Sequence, residues 1–117
     1  MSALPTGTVT FLFTDIEGST RFLDARPEEY RDALARHDTI IRRAVAANAG
    51  IVFQTRGDGF CAAFDNPIQA AHAALTAQQG LWREPWGEAG QVKARMAIHT
   101  RRWRESHAFW KNRAEFC

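Results

Sequence analysis

The amino-acid sequence predicts one α+β domain whose elements follow the order β-α-β-β-α-β. Three observations lead to this prediction: an apolar run of strand length at residues 8–14, two stretches with helical spacing of apolar residues, and a Gly-Asp-Gly turn between two short apolar runs. With 117 residues the chain is long enough to form a single hydrophobic core.

The first predicted strand covers about residues 8–14. Its apolar side chains alternate with threonines, and Leu12 adds an apolar position to the second face, which is typical of a central strand. The strand ends at Asp15, and a Gly-Ser-Thr turn at residues 18–20 follows. A loop over residues 15–26, with room for a short helical turn, is expected here.

Two longer helices follow from the spacing of apolar residues. The first begins at Pro27, has acidic residues in its first turn and ends at Gly50. The second begins with the cap residue Asn66, followed by Pro67. Steps of three and four residues predict that the first helix buries Tyr30, Leu34, His37, Ile41, Ala44, and Ala47 or Asn48. The same steps predict that the second helix buries Ile68, Ala71, Leu75, Gln78 or Gln79, and Trp82.

Three further strands complete the order. Residues 51–55 and 60–64 flank the turn at residues 56–59 and are predicted to pair as a hairpin. Alternating apolar residues predict a fourth strand over residues 92–98. Right-handed crossovers make the first two strands parallel, with the third strand between them and antiparallel. The prediction is therefore a ferredoxin-like βαββαβ core, an antiparallel sheet with two helices on one face.

This topology brings two distant carboxylates to one edge of the sheet. Asp15 follows the first strand, and Asp58 lies in the turn between the second and third strands. Carboxylates without a counter-ion repel each other, and a divalent cation removes that penalty. Because Mg²⁺ is usually held by one or two carboxylates plus substrate phosphates, the sequence predicts a metal–nucleotide site at this edge. The alternative is that Asp15 only caps a turn.

Charge and cysteine content bear on partners and location. Residues 1–100 hold 10 basic and 11 acidic residues, whereas residues 101–117 hold 5 and 2, so the body has no basic nucleic-acid-binding surface. No apolar run reaches the roughly 20 residues of a membrane span, and no signal peptide is visible. Because two cysteines make no disulfide framework, a cytoplasmic location is predicted. The charge balance and the absence of a membrane-length apolar run predict that neither nucleic acid nor a membrane is a partner.

Three motifs in order resemble the class III adenylate/guanylate cyclase catalytic domain of actinobacterial type. They are Thr14-Asp15-Ile16-Glu17-Gly18-Ser19-Thr20, Gly57-Asp58-Gly59-Phe60 and Arg95-Met96-Ala97-Ile98-His99-Thr100. The resemblance covers about residues 6–100 and implies a phosphorus–oxygen lyase of signal transduction. In the implied reaction the ribose 3′-hydroxyl of ATP attacks the α-phosphorus, which gives cyclic AMP and pyrophosphate. GTP is the other candidate substrate.

The resemblance also implies roles for individual residues. Asp15 and Asp58 would be the catalytic carboxylates that bind two Mg²⁺ or Mn²⁺ ions, with the carbonyl of Ile16 as a further metal ligand. The backbone expected to lie along the triphosphate belongs to Glu17, Gly18, Ser19 and Thr20.

The implied purine site departs from the family pattern. Gln54 stands where the family has its purine-selecting lysine, four residues before the second metal aspartate, and Gly57 would lie beside the nucleotide. A glutamine amide offers a donor and an acceptor, so it can still meet adenine. The alternative is that Gln54 is a polar edge residue without a ligand.

A larger departure begins after Thr100. The family continues with a Gly, a base-selecting residue and an Asn followed four positions later by an Arg, whereas this chain continues Arg-Arg-Trp-Arg. The chain is therefore divided into residues 1–100, the N-terminal part of a truncated cyclase catalytic domain, and residues 101–117, a divergent basic and aromatic tail whose folding the sequence leaves open.

Family active sites form between two head-to-tail subunits, one giving the metal carboxylates and the other the Asn and Arg. A homodimer of this chain would therefore be weak or inactive, whereas a heterodimer with another cyclase could be complete. A non-catalytic cyclase-homology module that binds nucleotide or pairs with an intact cyclase is the alternative function. An unrelated RNA-binding domain is disfavoured because the strands lack an aromatic stacking signature.

Overall fold

A computed structural model describes residues 7–87 and 90–103 of the chain. In order, its elements are β1 (Gly7–Ile16), α1 (Ser19–Ala25), α2 (Pro27–Ala47), β2 (Ile51–Arg56), β3 (Gly59–Phe64), α3 (Pro67–Arg83) and β4 (Ala94–Trp103). The predicted βαββαβ order is confirmed. The short helix α1 is an addition to it, since the sequence predicted no more than a helical turn in that loop.

The four strands form one sheet in the order β2-β3-β1-β4. Each neighbouring pair is antiparallel, so β1 and β2 are parallel to each other with β3 between them. This arrangement confirms the predicted ferredoxin-like α+β class. It also puts the end of β1 and the β2–β3 turn at the same edge of the sheet.

Strand β1 is buried on both faces, as its apolar composition predicted. Leu12 and Ile16 pack into the core that the sheet forms with the helices. Val9 and Phe11 pack with Ala63 in a second cluster. Because side chains alternate across a strand, this second cluster lies on the opposite face of the sheet. A strand in this position has neighbours on both sides and fixes the register of the whole sheet.

The predicted inner face of α2 is largely correct. Tyr30, His37, Ile41 and Ala44 are buried, and Leu34 is partly buried against the core. At the last predicted position Asn48 is half-buried and Ala47 is exposed. His37 is fully buried, and its Nδ1 lies 2.9 Å from Oδ1 of Asp38. Helix α3 begins as predicted, because the Asn66 side chain accepts a hydrogen bond of 2.9 Å from the backbone N–H of residue 69.

The predicted inner face of α3 is wrong. Ile68, Leu75 and Trp82 were expected in the core, but their exposed fractions are 67%, 57% and 74%. Ala71, Gln78 and Gln79, predicted on the same face, are exposed as well. The buried residues are Ala70, Ala73, Ala77 and Leu81.

Small side chains explain which face of α3 turns inward. The three buried alanines and Leu81 satisfy the same helical spacing as the larger residues, so periodicity alone did not choose between the two faces. Alanines let the helix approach its neighbours closely, and a Cβ added at Gly80 would lie 2.8 Å from Ile40 of α2. The large apolar residues are therefore left on the outer side of α3.

Strand β4 extends further than predicted. It covers Ala94–Trp103 rather than residues 92–98, and its backbone pairs with β1 along the full length of that strand. The change in composition at residue 100 therefore falls inside a regular strand. The predicted tail from residue 104 onward lies outside the described residues, so the division of the chain at residue 100 stays a prediction.

Cys61 is buried in β3 and is disulfide-bonded, although the sequence predicted no disulfide framework. None of the helices in residues 7–87 and 90–103 has the length and apolarity that crossing a membrane requires.

The two faces of α3 allow a matched test of the fold. Leu81 is 1% exposed and Leu75 is 57% exposed on the same helix. We expect Leu81→Ala to lower the free energy of unfolding by about 2–5 kcal/mol, because it leaves a cavity in the core. Leu75→Ala should change it by no more than about 0.5 kcal/mol. Urea denaturation followed by circular dichroism measures both, and equal losses would contradict this orientation of α3.

Candidate active site

Asp15 and Asp58 lie together at the rim of the sheet. Asp15 is at the end of β1, and Asp58 lies in the turn between β2 and β3. A carboxylate oxygen of Asp58 accepts a hydrogen bond of 3.2 Å from the backbone N–H of Ile16. Both aspartates line one cavity of about 450 Å³. Residues 43 positions apart in sequence are therefore neighbours at one site, as the predicted topology required.

Two glycines hold the β2–β3 turn against the end of β1. Gly57 has a φ of +58°, a conformation that other residues adopt only at an energetic penalty. A Cβ added at Gly59 would lie 3.0 Å from the backbone oxygen of Thr14. Any side chain at Gly59 would thus push the turn away from β1. These glycines are the local reason why the Asp58 carboxylate reaches the backbone of Ile16.

Arg95 binds the Asp15 carboxylate with both arms of its guanidinium group. Its Nε donates to one oxygen at 2.8 Å and its Nη2 to the other at 2.9 Å. The hydrogen bond that Arg95 donates to Asp15, followed by the charge of Asp15, raises the pKa of Arg95, so the guanidinium stays protonated. Without any metal ion, the charge repulsion expected between the two aspartates is reduced by this arginine.

The contact between Arg95 and Asp15 was not predicted from the sequence. In the sequence, Arg95 was identified only as part of a motif. The register of the β1–β4 pair would have indicated this contact, since Asp15 and Arg95 are directly opposite each other in these antiparallel strands. Opposed residues of such a pair have neighbouring side chains on one face.

A second cavity of about 560 Å³ lies at the start of α1. Gly18, Ser19 and Thr20 line it together with Arg95. The first N–H groups of a helix have no partner within the helix, so this wall offers donors to an anion. Glu17, which was also predicted to lie along the triphosphate, lines neither cavity, and its N–H donates to the carbonyl of Lys93 at 2.8 Å.

Gln54 lies on β2 opposite a residue of β3 that lines the first cavity. It is half-buried and pairs with Cys61, which lines that cavity. A β-bulge between Val52 and Gln54 shifts the register there. Neither Gln54 nor Gly57 lines either of the two cavities, so the predicted contact of these residues with a nucleotide stays a prediction.

Tyr30 lies below the site on the helical side of the sheet. Its ring packs edge-on against Phe22, with centroids 5.3 Å apart. Burial raises the pKa of Tyr30 above its ordinary value, and the charges of Asp58 and then Asp38 raise it further. Tyr30 was predicted only as a core residue, so its electrostatic link to Asp58 was also missed.

The donor groups of the first cavity suit a hard cation. Asp15 and Asp58 offer carboxylate oxygens, and Mg²⁺ or Mn²⁺ commonly takes its remaining ligands from water and substrate phosphates. In the described part of the chain, no group of three or more His, Cys, Asp and Glu side chains gathers as a zinc site would require. The residues present therefore fit Mg²⁺ or Mn²⁺ bound together with a phosphate ligand.

The fold and the rim together define the class of protein, a ferredoxin-like α+β domain with an acidic cavity at the edge of its sheet. Residues 1–82 match the sequence model of the family described as the adenylate and guanylate cyclase catalytic domain. The chain belongs to this family, as the three motifs predicted.

Individual relatives agree with this assignment. The chain is 37% identical over 86 residues to an adenylate cyclase of Lachancea kluyveri, and the matched segment is 74% of this chain and 5% of that protein. It is 34% identical over 98 residues to an uncharacterised protein of Mycobacterium tuberculosis (82% of this chain, 32% of that one). A solved adenylate cyclase from Trypanosoma brucei in its monomeric state has a TM-score of 0.79 at 27% identity, over 85% of this chain and 58% of that one. The chain thus spans less than two thirds of each relative.

The single tyrosine of the chain reports the charge at the site. We expect absorbance at 295 nm to give Tyr30 a pKa above 10.0, and Asp58→Asn to lower that pKa because it removes a negative charge. Since the folded state holds the proton more tightly than the unfolded state, the contribution of Tyr30 to stability should be lost as pH rises above about 10.

Asp65→Asn is the matched control for the Tyr30 titration, since Asp65 is exposed and follows the far end of β3. It should leave the pKa of Tyr30 unchanged. Equal shifts from the two substitutions would mean that Tyr30 does not sense Asp58 specifically.

Proposed function

We propose that this domain acts in cyclic nucleotide synthesis as an adenylate cyclase, converting ATP to cyclic AMP and pyrophosphate. The observation that carries the proposal is that Asp15 and Asp58 line one cavity at the sheet rim. Family membership supports the reaction class, and the names of the Lachancea and Trypanosoma relatives favour ATP over GTP.

In the proposed site, Asp15 and Asp58 hold two Mg²⁺ or Mn²⁺ ions, with the carbonyl of Ile16 as a further ligand. When bound, the two ions supply electrostatic stabilisation of the attacking and leaving oxygens. Arg95 donates one hydrogen bond to each Asp15 oxygen, so a metal ion at Asp15 takes the remaining lone pairs and competes with Arg95 for the charge of that carboxylate. Asp58 keeps its position through the N–H of Ile16.

The nucleotide is proposed to extend from the first cavity to the start of α1. The N–H groups at residues 18–20 meet the triphosphate there, which the cavity lined by these residues supports. The N–H of Glu17 is not proposed to bind phosphate, because it already donates a hydrogen bond to the carbonyl of Lys93. Gln54 meets the purine from the same sheet face as Cys61, with Gly57 shaping the turn beside it.

A second subunit is part of the proposal. The sequence after Thr100 does not follow the family pattern that supplies an Asn and an Arg to the partner's site. Loss of one preorganised charge donor commonly lowers the rate by about 10²–10³-fold, so we propose that this chain alone is weak or inactive. The cytoplasmic location predicted from the sequence stays a prediction.

Nucleotide binding and cyclisation test the two aspartates. We expect the chain to bind ATP in the presence of Mn²⁺, and Asp15→Asn or Asp58→Asn to abolish that binding, because each removes a charged metal ligand. Isothermal titration calorimetry measures binding, and chromatography of the products measures any cyclic AMP. Asp65→Asn should behave as the unmodified chain. Equal binding by all four proteins would reject the proposed site.

The non-catalytic module is the second candidate, and the departure after Thr100 favours it. In this case the chain supplies metal carboxylates to a site completed by an intact cyclase. Mixing it with a cyclase whose own metal aspartates are mutated should restore cyclic AMP synthesis. The same mixture made with Asp58→Asn should not, and absence of rescue by the unmodified chain would count against pairing.

A further inference from the structure

Arg56 is a cation at the candidate site to which no role has been assigned so far. It is the last residue of β2 and pairs with Gly59 across the hairpin. Its side chain lines the same cavity as Asp15 and Asp58, and the residue is exposed. Three charged side chains, two acidic and one basic, therefore face one space.

The guanidinium charge of Arg56 is not paired with another side chain in the described part of the chain. No side-chain hydrogen bond or ion pair joins Arg56 to another residue within 7–87 and 90–103, although two carboxylates line the same cavity. Arg95, by contrast, is bound to Asp15 through two hydrogen bonds. Arg56 is thus a guanidinium group at the cavity that an incoming anion can bind without displacing a partner.

The position of Arg56 along the hairpin indicates which part of a nucleotide it meets. Residues two apart in a strand lie on the same face about 7 Å apart, so Arg56 shares the face of Gln54. Asp58 follows in the turn. In the proposed function Gln54 meets the purine and Asp58 holds the metal ions at the phosphates. Arg56 then lies beside the part of the ligand that joins these two ends, the ribose and the α-phosphate.

Of these two groups, the α-phosphate is the better partner for a guanidinium. Its oxygens carry negative charge, and the planar fork of arginine donates two parallel hydrogen bonds to such an anion. Charge also develops on the α-phosphate oxygens when the ribose hydroxyl attacks the phosphorus. A cation beside these oxygens stabilises that charge.

We propose that Arg56 is a further substrate-binding residue whose guanidinium contacts the α-phosphate of the nucleoside triphosphate. This inference rests on the proposed function. It gives the chain a charge donor on the same subunit as the metal carboxylates, in addition to any donor that a second subunit brings.

The test compares Arg56→Gln with the unmodified chain in binding three ligands with Mn²⁺: ATP, AMP and adenosine. We expect Arg56→Gln to weaken ATP and AMP binding by about 10-fold or more, because a charge-assisted hydrogen bond to phosphate is lost. Adenosine has no phosphate and should bind both proteins equally. Arg56→Lys, which keeps the charge but not the fork, should give an intermediate affinity. Chemical-shift titrations at millimolar ligand measure all three.

Two control variants separate this inference from the function on which it rests. Arg43→Gln removes an exposed arginine of α2, on the other side of the sheet, and should leave ATP binding unchanged. Asp58→Asn should abolish ATP binding by loss of the metal ligand. Circular dichroism of each variant checks that it folds.

Each outcome decides for or against Arg56. Loss of ATP binding in Asp58→Asn together with unchanged binding in Arg56→Gln overturns the role of Arg56 and leaves the proposed function intact. An equal loss for adenosine means that Arg56 contacts the nucleoside, and a loss for ATP that is absent for AMP means that it contacts the outer phosphates. Either result overturns the α-phosphate assignment. Failure of the unmodified chain to bind ATP overturns both proposals.

Discussion

The pairing of β1 with strands on both of its sides is the constraint on which the rest of this structure depends. The register with β3 sets Thr14 opposite Phe60, and the register with β4 sets Asp15 opposite Arg95. A side-chain contact between Thr10 and Thr100, with hydroxyl oxygens 2.9 Å apart, is consistent with the second register. A slip by one residue would turn every side chain of β1 to the other face and separate the carboxylates.

Strand order was predictable from the sequence because apolar alternation and turn residues specify it locally. The same reasoning placed Asp15 and Asp58 at one edge, since the topology leaves few alternatives. The face of α3 was not predictable, because alanines and large apolar residues both follow a helical period and only packing distance decides between them. In the structure, the close approach of Gly80 to Ile40 marks that distance.

Contacts between strands account for what was missed at the site. Arg95 and Arg56 are ordinary exposed arginines in the sequence, and neither stands next to an acidic partner along the chain. Their place beside Asp15 and Asp58 becomes apparent only when all four strands are aligned. The end of β4 was also missed, because arginines and threonine interrupt the apolar alternation on a strand whose pairing with β1 continues to Trp103. Edge strands carry such polar residues without losing their backbone hydrogen bonds.

The two hydrogen bonds from Arg95 to Asp15 have a consequence for how ligands would enter the rim. Arg95 also lines the cavity at the start of α1, so an anion bound there competes with Asp15 for the same guanidinium. If Asp15 holds a divalent ion, an anion that draws Arg95 away strengthens the hold on that ion. By thermodynamic reciprocity, the ion then makes Arg95 more available to the anion. Metal and phosphate would in that case bind cooperatively. The affinity measured for either ligand alone would then be lower than its affinity in the presence of the other.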